Sequence, residues 1–221
     1  MLERLITAYN EAVFDADRDT ALKIIHDALN SGISPEDIVF KIVVPELEAM
    51  MKAVSETHNV SLAQHFLAAQ IAAEVTDEMT AKFRKLPESA GRVVIGTSWG
   101  DFHGLGKKIV AGCLNALMID VFDLGLNVPA ERFVDEAVAH DAQVIAISSM
   151  MVHTARGENG CIKVRSLLKE RGLEERMKIV VGGAPYRYAR ELYKTVGADA
   201  WADDGITAGR VIADLIKGVR R

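Results

Sequence analysis

The chain has 221 residues, 49% of them hydrophobic and 26% charged, which is ordinary for a globular protein with room for one large domain or two small ones. Its formal net charge of −5, without a stripe of Lys and Arg, gives no electrostatic reason to expect nucleic acid as a partner. Charged residues from Glu3 onward and the lack of a long apolar run predict neither a signal peptide nor a membrane span, so we expect a cytoplasmic protein with no membrane partner.

The N-terminal part of the chain shows helical periodicity and no strand signal. Ser34 is placed to cap a helix and Pro35 suits the first turn of that helix, whereas Pro45 predicts a kink or break further along. Residues 61–85 have the pattern of a last, long helix. We therefore predict a four-helix bundle over residues 1–88.

A short stretch rich in Pro, Ser and Gly interrupts the helical pattern, and we place the domain boundary there, between residues 88 and 89. Beyond it, short apolar runs alternate with helical stretches. The predicted strands are residues 93–96, 121–124, 144–147, 178–181 and, more weakly, 200–202. The predicted helices are residues 107–117, 130–140, 161–170, 187–195 and 206–219. This alternation predicts an α/β domain over residues 89–221 with a five-stranded, doubly wound, Rossmann-like parallel sheet.

The loop after the first predicted strand, Gly100-Asp101-Phe102-His103-Gly104-Leu105-Gly106, carries an acid and an imidazole where a phosphate-binding loop carries glycines. A Walker loop is excluded for two reasons. Five rather than four residues separate Gly100 from Gly106-Lys107, and Lys108 stands where Ser or Thr is needed. A dinucleotide fingerprint that begins at Gly104-Leu105-Gly106 is excluded, because its third position, Ile109, would have to be Gly or Ala. A phosphoacceptor receiver domain would have an acidic pair where Ser98-Trp99-Gly100 stands.

Asp101 and His103 suit a metal ligand and the group that orients it. A ligating histidine usually donates its second ring N–H to a carboxylate. One histidine is too little to hold a free metal ion, but it suffices as an axial ligand to a metal that a macrocycle already holds. From spacing alone, a hydrogen-bonded structural histidine remains the alternative.

Three loops together resemble the signature of cobalamin-binding domains. Asp101-x-His103-x-x-Gly106, Ser148-x-Met150 and Gly182-Gly183 match the DxHxxG, SxL and GG motifs, with methionine replacing the usual leucine. The runs at residues 122–129 and 197–200 match the flanks of these motifs. The helical half resembles the cap domain of methionine synthase and of corrinoid proteins from methanol, methylamine and O-demethylase methyltransferase systems. The resemblance covers nearly the whole chain.

The resemblance implies cobalamin, with its cobalt, as the cofactor. His103 would be the lower axial ligand to cobalt in place of the cofactor's own base, with Asp101 accepting its other N–H and Thr154 behind that acid. The other implied cofactor contacts are Ser148, Met150, Gly182 and Gly183 in a slot for the nucleotide tail, and Gly104 and Gly106 in the loop that approaches the corrin.

The resemblance further implies a carrier that is not itself catalytic. It would alternate between cob(I)alamin and methylcobalamin, taking a methyl group from a donor methyltransferase and delivering it to an acceptor methyltransferase, with a reductive activase as a further partner. The helical half would cover the methyl-bearing face of the corrin. Met50, Met51, His65 and Phe66 are candidates for that contact, although apolar side chains at helical spacing are more often bundle core.

Two other functions stay open on sequence grounds. One is a regulator that senses cobalamin, and the other is an unliganded α/β scaffold, which would leave the Asp101–His103 pair unexplained. Outside the motifs, we expect His153 to be solvated and Asp203 or Asp204 to cap the last helix. Cys113 and Cys161, which lack any metal-binding spacing, are expected to be buried, reduced thiols.

Overall fold

The computed structural model describes residues 2–46, 49, 62–83 and 89–219. The chain divides into two compact units. The helical unit comprises Met1–Glu88 with Asn115–Leu117, and the α/β unit comprises Ser89–Leu114 with Met118–Arg221.

The described part of the helical unit contains four helices. They are α1 (Leu2–Phe14), α2 (Arg18–Asn30), α3 (Pro35–Ile38, continued by a π-helical turn at Val39–Val43) and α4 (Leu62–Thr80). The buried side chains come from all four: Tyr9, Val13, Ile25, Ile38, Ile42, Ile71, Val75 and Met79. The predicted four-helix bundle is confirmed, and burial of one apolar face per helix is what stabilises it.

Side-chain caps fix the starts of two of these helices. Asp17 accepts a hydrogen bond from the Thr20 N–H at 3.1 Å, and Ser34 accepts one from the Asp37 N–H at 3.1 Å. Such bonds satisfy N–H groups that have no partner inside the helix. The predicted start of α3, with Pro35 in its first turn, is confirmed.

Of the kink or break predicted at Pro45, the described chain shows no break up to Glu46. The chain stays helical to Glu46, and the π-helical turn at Val39–Val43 precedes the proline, with the Val44 N–H bonded to the Val39 carbonyl. Proline removes one N–H donor and crowds the preceding turn. A wider turn at this point accommodates both effects without ending the helix.

The last helix of this unit is shorter than residues 61–85. Met79 is the last fully buried residue of α4, and the N–H groups of Lys82 and Phe83 bond to the carbonyls of Met79 and Thr80 in tight turns. The Phe83 ring then lies 6.1 Å from the ring of Phe40, centroid to centroid. The helix ends where its apolar face ends.

In the α/β unit, five strands alternate with helices as predicted. The strands are β1 (Gly91–Thr97), β2 (Ile119–Asp123), β3 (Val144–Ser148), β4 (Lys178–Gly182) and β5 (Ala200–Ala202). The helices are α5 (Leu105–Ala116), α6 (Ala130–Ala139), α7 (Val152–Arg156), α8 (Lys163–Glu170, preceded by a π-helical turn at Glu158–Ile162), α9 (Ala184–Tyr188), α10 (Leu192–Thr195) and α11 (Gly205–Gly218).

All neighbouring strands are parallel, in the order β2-β1-β3-β4-β5. The predicted doubly wound, five-stranded sheet is therefore confirmed. The central strands are buried almost throughout, as is usual for parallel strands covered on both faces. Since the first strand lies between the second and the third, the order reverses at β1, and the loops after β1 and β3 diverge there.

One predicted helix was wrong. Residues 187–195 are not one helix, because the chain enters α9 directly after Gly183, with Pro185 in its first turn, and leaves helical geometry at Ala189. The fully buried Tyr186 ring anchors α9 in the core of the sheet. A tertiary contact thus sets the start of this helix.

Gly183→Ala is expected to destabilise the α/β unit by at least about 2 kcal/mol. Gly183 has φ +112°, and an added Cβ would lie 2.0 Å from the Ser149 carbonyl oxygen, which is backbone and has little freedom to move. Chemical denaturation measures the change. Gly218→Ala is the matched control, because nothing lies within 4 Å of its Cβ position. Equal stability of the two variants would contradict the close approach.

Glu46→Gln is expected to stabilise the helical unit at high pH only. Burial raises the pKa of Glu46 to about 7, above its unfolded value of about 4.3, so ionisation opposes folding. The stabilisation that protonated Glu46 contributes is fully present below pH ~4 and is lost as the pH rises through about 7. Above that pH, Glu46 causes no further change in the free energy of unfolding. Denaturation at pH 8 should give a gain of about 1–3 kcal/mol, and denaturation at pH 4 little change. Glu11→Gln, at an exposed position, is the control. The same gain at both pH values would contradict the titration.

Candidate functional site

The predicted loop residues meet at one edge of the sheet. The strand register places Thr97, Ser148 and Gly182 side by side at the carboxyl ends of β1, β3 and β4. Backbone hydrogen bonds join the loops that follow, from the Ser98 N–H to the Ser148 carbonyl and from the Ser149 N–H to the Gly182 carbonyl, both 2.9 Å. Motifs far apart in the sequence therefore form one continuous rim.

Asp101 is the buried centre of this rim. Its Oδ1 accepts the His103 backbone N–H at 2.9 Å and lies 3.0 Å from Nδ1 of the same residue. Its Oδ2 accepts the Met150 N–H at 2.7 Å and the Met151 N–H at 3.4 Å. The Thr154 hydroxyl lies 2.7 Å from Oδ2 and 2.8 Å from the Met151 carbonyl, so its single proton serves one of the two at a time. The structure thus brings Asp101, His103, Met150 and Thr154 together.

Hydrogen bonds keep Asp101 ionised in spite of its burial. Burial raises the pKa of this carboxyl, but the bonds from the His103 N–H, the Thr154 hydroxyl and the Met150 N–H outweigh that effect and hold the pKa below its ordinary value. A carboxylate only accepts, so Nδ1 of His103 must carry the proton in this contact. In the neutral ring, Nε2 then keeps a free lone pair, and the side chain is 57% exposed. The ring can serve as a metal ligand.

Two glycines, Gly182 and Gly183, stand where the loop after β4 begins beside the loop after β3. Gly183 lies against the backbone of Ser149, where no Cβ fits, and a Cβ on Gly182 would meet the Ala202 carbonyl at 3.5 Å. Ser148, Gly182 and Gly183 are all partly exposed. At these positions the backbone itself is accessible at the rim.

The two glycines of the first loop differ in their surroundings. A Cβ on Gly104 would lie 2.9 Å from Cδ2 of Leu126, so the leucine side chain covers this glycine. Nothing lies within 4 Å of a Cβ on Gly106. Open space at Gly106 agrees with a loop that a flat ligand approaches closely.

Large apolar side chains are exposed around the same rim, which the sequence did not reveal. They follow β1, β2 and β3: Trp99, Phe102, Leu105, Leu126, Met150, Met151 and Val152, each between 44% and 66% exposed. Exposed apolar side chains gathered in this way mark a binding surface rather than ordinary surface composition. Their placement in loops at strand ends was the only available signal, since exposure cannot be read from sequence.

The remaining predicted residues lie away from this centre. Asp204 caps α11 by accepting the Thr207 N–H at 2.8 Å, as predicted, whereas Asp203 pairs with Arg187 at 3.2 Å. His153 is exposed, as expected. Phe66 is half-buried in α4, while Met50, Met51 and the side chain of His65 lie outside the described residues.

Cys113 and Cys161 are buried free thiols, as expected, and burial raises the pKa of each to about 12. They are therefore poor nucleophiles and poor metal ligands. Among the described residues, no group of three or more His, Cys, Asp or Glu side chains could hold a metal ion. No helix of the described ranges is both long and apolar enough to cross a membrane.

Comparison with known proteins agrees with this geometry. The family model described as the B12 binding domain matches residues 91–210. Trimethylamine corrinoid protein 1 of Methanosarcina acetivorans is 34% identical over 224 residues, covering 99% of this chain and 96% of its own. The dimethylamine corrinoid protein of Methanosarcina barkeri is 33% identical over 226 residues, covering 97% and 98%.

Two solved structures share the fold. A cobalamin-binding protein from Desulfitobacterium hafniense matches with a TM-score of 0.76 at 18% identity, over 95% of this chain and 98% of its own. The methanol:cobalamin methyltransferase complex of Methanosarcina barkeri matches with a TM-score of 0.77 at 21% identity, over 97% and 80%. The chain belongs to the B12-binding family and, within it, to the corrinoid proteins.

The residues present fit a corrinoid. A cobalt ion already held by a macrocycle needs one protein ligand, and the described rim offers one histidine with a free ring nitrogen rather than a complete set of metal ligands. The exposed apolar side chains suit the flat face of the ring. The cofactor of this protein is therefore a cobalamin.

Asp101→Asn is expected to destabilise the cofactor-free protein by about 2 kcal/mol or more at pH 7, because it removes the charge from a buried acceptor of several hydrogen bonds. The folded-state pKa of Asp101 is depressed, so its contribution is present above the unfolded pKa of about 3.9 and is lost as the pH falls. The deficit of the variant should therefore shrink below pH ~4.

Denaturation curves at pH 7 and pH 3.5 measure this difference. Asp120→Asn is the matched control, since that side chain is 50% exposed and its ion pair with Arg92 contributes little. A deficit that stays constant across the two pH values would show that the ionised form of Asp101 is not what stabilises the rim.

Proposed function

We propose that this protein is the methyl carrier of a corrinoid-dependent methyltransferase system, with a methylated amine as the original methyl donor. The observation that carries the proposal is the buried, ionised Asp101, which fixes His103 with Nδ1 protonated and Nε2 free. The donor class is supported by the names of the relatives, which are trimethylamine and dimethylamine corrinoid proteins. A carrier in a methanol or O-demethylase system would use the same site.

His103 would bind cobalt from below through Nε2. When bound, cobalamin supplies a cobalt centre that accepts a methyl group and gives it up again. Asp101 orients the imidazole and makes it a better ligand by accepting its N–H, and the Thr154 hydroxyl in turn stabilises the carboxylate.

The nucleotide tail of the cofactor would run along the bare backbone of the rim. Ser148 and Met150 would line this slot, and Gly182 and Gly183 would leave room for the tail. The partial exposure of all four supports the assignment. Gly104 and Gly106 would face the corrin ring with the loop backbone.

We propose residues 89–221 as the cobalamin-binding domain and residues 1–88 as a cap for the methyl-bearing face. The partners would be a donor methyltransferase, an acceptor methyltransferase and a reductive activase. We place the system in the cytoplasm, where a reducing environment keeps Cys113 and Cys161 as thiols.

The ligand role of His103 is tested by electron paramagnetic resonance of the protein loaded with cobalamin and reduced to the Co(II) form. The protein is labelled uniformly with ¹⁵N and the cofactor is unlabelled. A histidine ligand splits each cobalt line into a doublet, because ¹⁵N has spin one-half, whereas the cofactor's own ¹⁴N base gives a triplet. We expect a doublet in the parent protein and its loss in His103→Ala.

His153→Ala is the matched control, because it removes an exposed histidine close to the rim, and it should keep the doublet. A triplet in the labelled parent would refute histidine ligation while leaving cobalamin binding intact. A parent protein that retains no cofactor after desalting would refute the carrier function itself.

A further inference from the structure

We propose that Asn127, in the loop between β2 and α6, is a positioning residue that fixes the loop carrying His103, whose Nε2 would bind the cobalt. The inference rests on the proposed role of His103 as axial ligand. Asn127 lies outside the three loops that carry the cobalamin motifs, and it contacts the backbone of the motif loop directly.

The side chain of Asn127 ties down the start of that loop. Its Oδ1 accepts the Gly100 N–H at 2.7 Å. Gly100 has φ +79° and stands immediately before Asp101. This bond fixes the peptide that leads into the buried carboxylate.

The backbone of Asn127 completes the contact. Its N–H lies 3.0 Å from the Asp101 carbonyl and 2.8 Å from Oγ1 of Thr97. The Thr97 hydroxyl, which is fully buried, donates to the same Asp101 carbonyl at 2.6 Å. The Asn127 N–H and the Thr97 hydroxyl therefore both hold the Asp101 carbonyl, independently of the bonds that the Asp101 carboxylate makes.

The segment between β2 and α6 also contacts the chain on the far side of His103. The Leu126 side chain covers Gly104, and Asp123 forms an ion pair with the buried Lys107 in the first turn of α5. His103 thus lies between two points at which residues 123–127 hold its loop.

His103 needs this support because its side chain makes a single polar contact within the part of the chain that the structure describes. Its side chain is 57% exposed, and that contact is the bond from Nδ1 to Asp101. The position of Nε2 therefore depends on the position of the loop backbone. Ligand geometry of this kind has to be held within about 0.5 Å by supporting contacts.

The backbone of Asn127 restricts what can replace it. Its φ is +52°, in the left-handed region that Asn, Asp and Gly tolerate and other residues avoid. Asn127→Gly therefore keeps the backbone conformation and removes the acceptor. Asn127→Asp keeps both the conformation and the acceptor.

The test compares these variants after loading with cobalamin and reduction to the Co(II) form, with ¹⁵N-labelled protein. The readouts are the bound corrin per chain and the ratio of histidine-ligated to unligated cobalt in the resonance spectrum. Loss of one hydrogen bond in Asn127→Gly should lower that ratio roughly three- to tenfold with corrin content unchanged. Asn127→Asp should stay within about twofold of the parent, since it keeps the acceptor. Asn159→Gly, at an exposed position, should equal the parent.

Thr97→Val provides a second variant in case Asn127→Gly does not fold. It keeps a β-branched side chain in β1 and removes the hydroxyl that donates to Asp101, so the ratio should fall in the same direction. A parent-like ratio in Thr97→Val and in a folded Asn127→Gly would overturn the inference while leaving His103 ligation intact. A labelled parent without a doublet would overturn the proposed function first, and the positioning role with it.

Discussion

The buried carboxylate of Asp101 is the interaction on which the rest of the site depends. An ionised group away from water is stable only when its oxygens are fully hydrogen-bonded. Here the donors come from two different loops: His103 on the same loop, and Met150 and Thr154 after β3. The charge therefore holds together segments that are about fifty residues apart in the chain, and it fixes the tautomer of His103 at the same time.

The sheet topology explains why the loops after β1 and β3 lie at the same edge of the sheet and why a crevice can open between them. β1 lies between β2 and β3, so the chain leaves β1 in one direction and returns on its other side. Loops diverge at such a point and leave a crevice at the carboxyl ends of the strands. Trp99, Phe102 and Met151 are exposed in the loops after β1 and β3, and Thr97, Ser148 and Gly182 lie side by side at the ends of their strands. A large flat cofactor with its own metal can bind there without a set of protein ligands.

The groups around the site differ in how freely they can move. Gly183 against Ser149 and the contacts of Asn127 involve backbone, and they leave little freedom. The methionines and the exposed aromatic side chains can adjust to a ligand. A rigid frame with an adaptable surface suits a carrier, because the proposed ligand His103 would have to keep its place while the cofactor changes its chemical state.

Much of this could be predicted because the signals were local. Alternating apolar runs gave the five strands, Ser34 and Pro35 gave the start of α3, and the spacing of Asp101 and His103 indicated a supported metal ligand. Two predictions about helices failed because packing in the folded chain set the helix ends. α4 ends with its apolar face, and the buried Tyr186 side chain places the start of α9 directly after β4. At Pro45 the chain is helical to Glu46 after a π-helical turn.

The sequence by itself determined the fold class and the family and indicated the candidate side chains of the site, because periodicity and motif spacing depend on residues close together in the chain. Only the tertiary structure decided which groups surround them. The contacts of Asn127 with Gly100 and Asp101, the cover of Leu126 over Gly104 and the exposure of the apolar rim follow from the crossing of β1 between β2 and β3. Contacts of this kind leave no local pattern, since either partner alone is an ordinary loop residue.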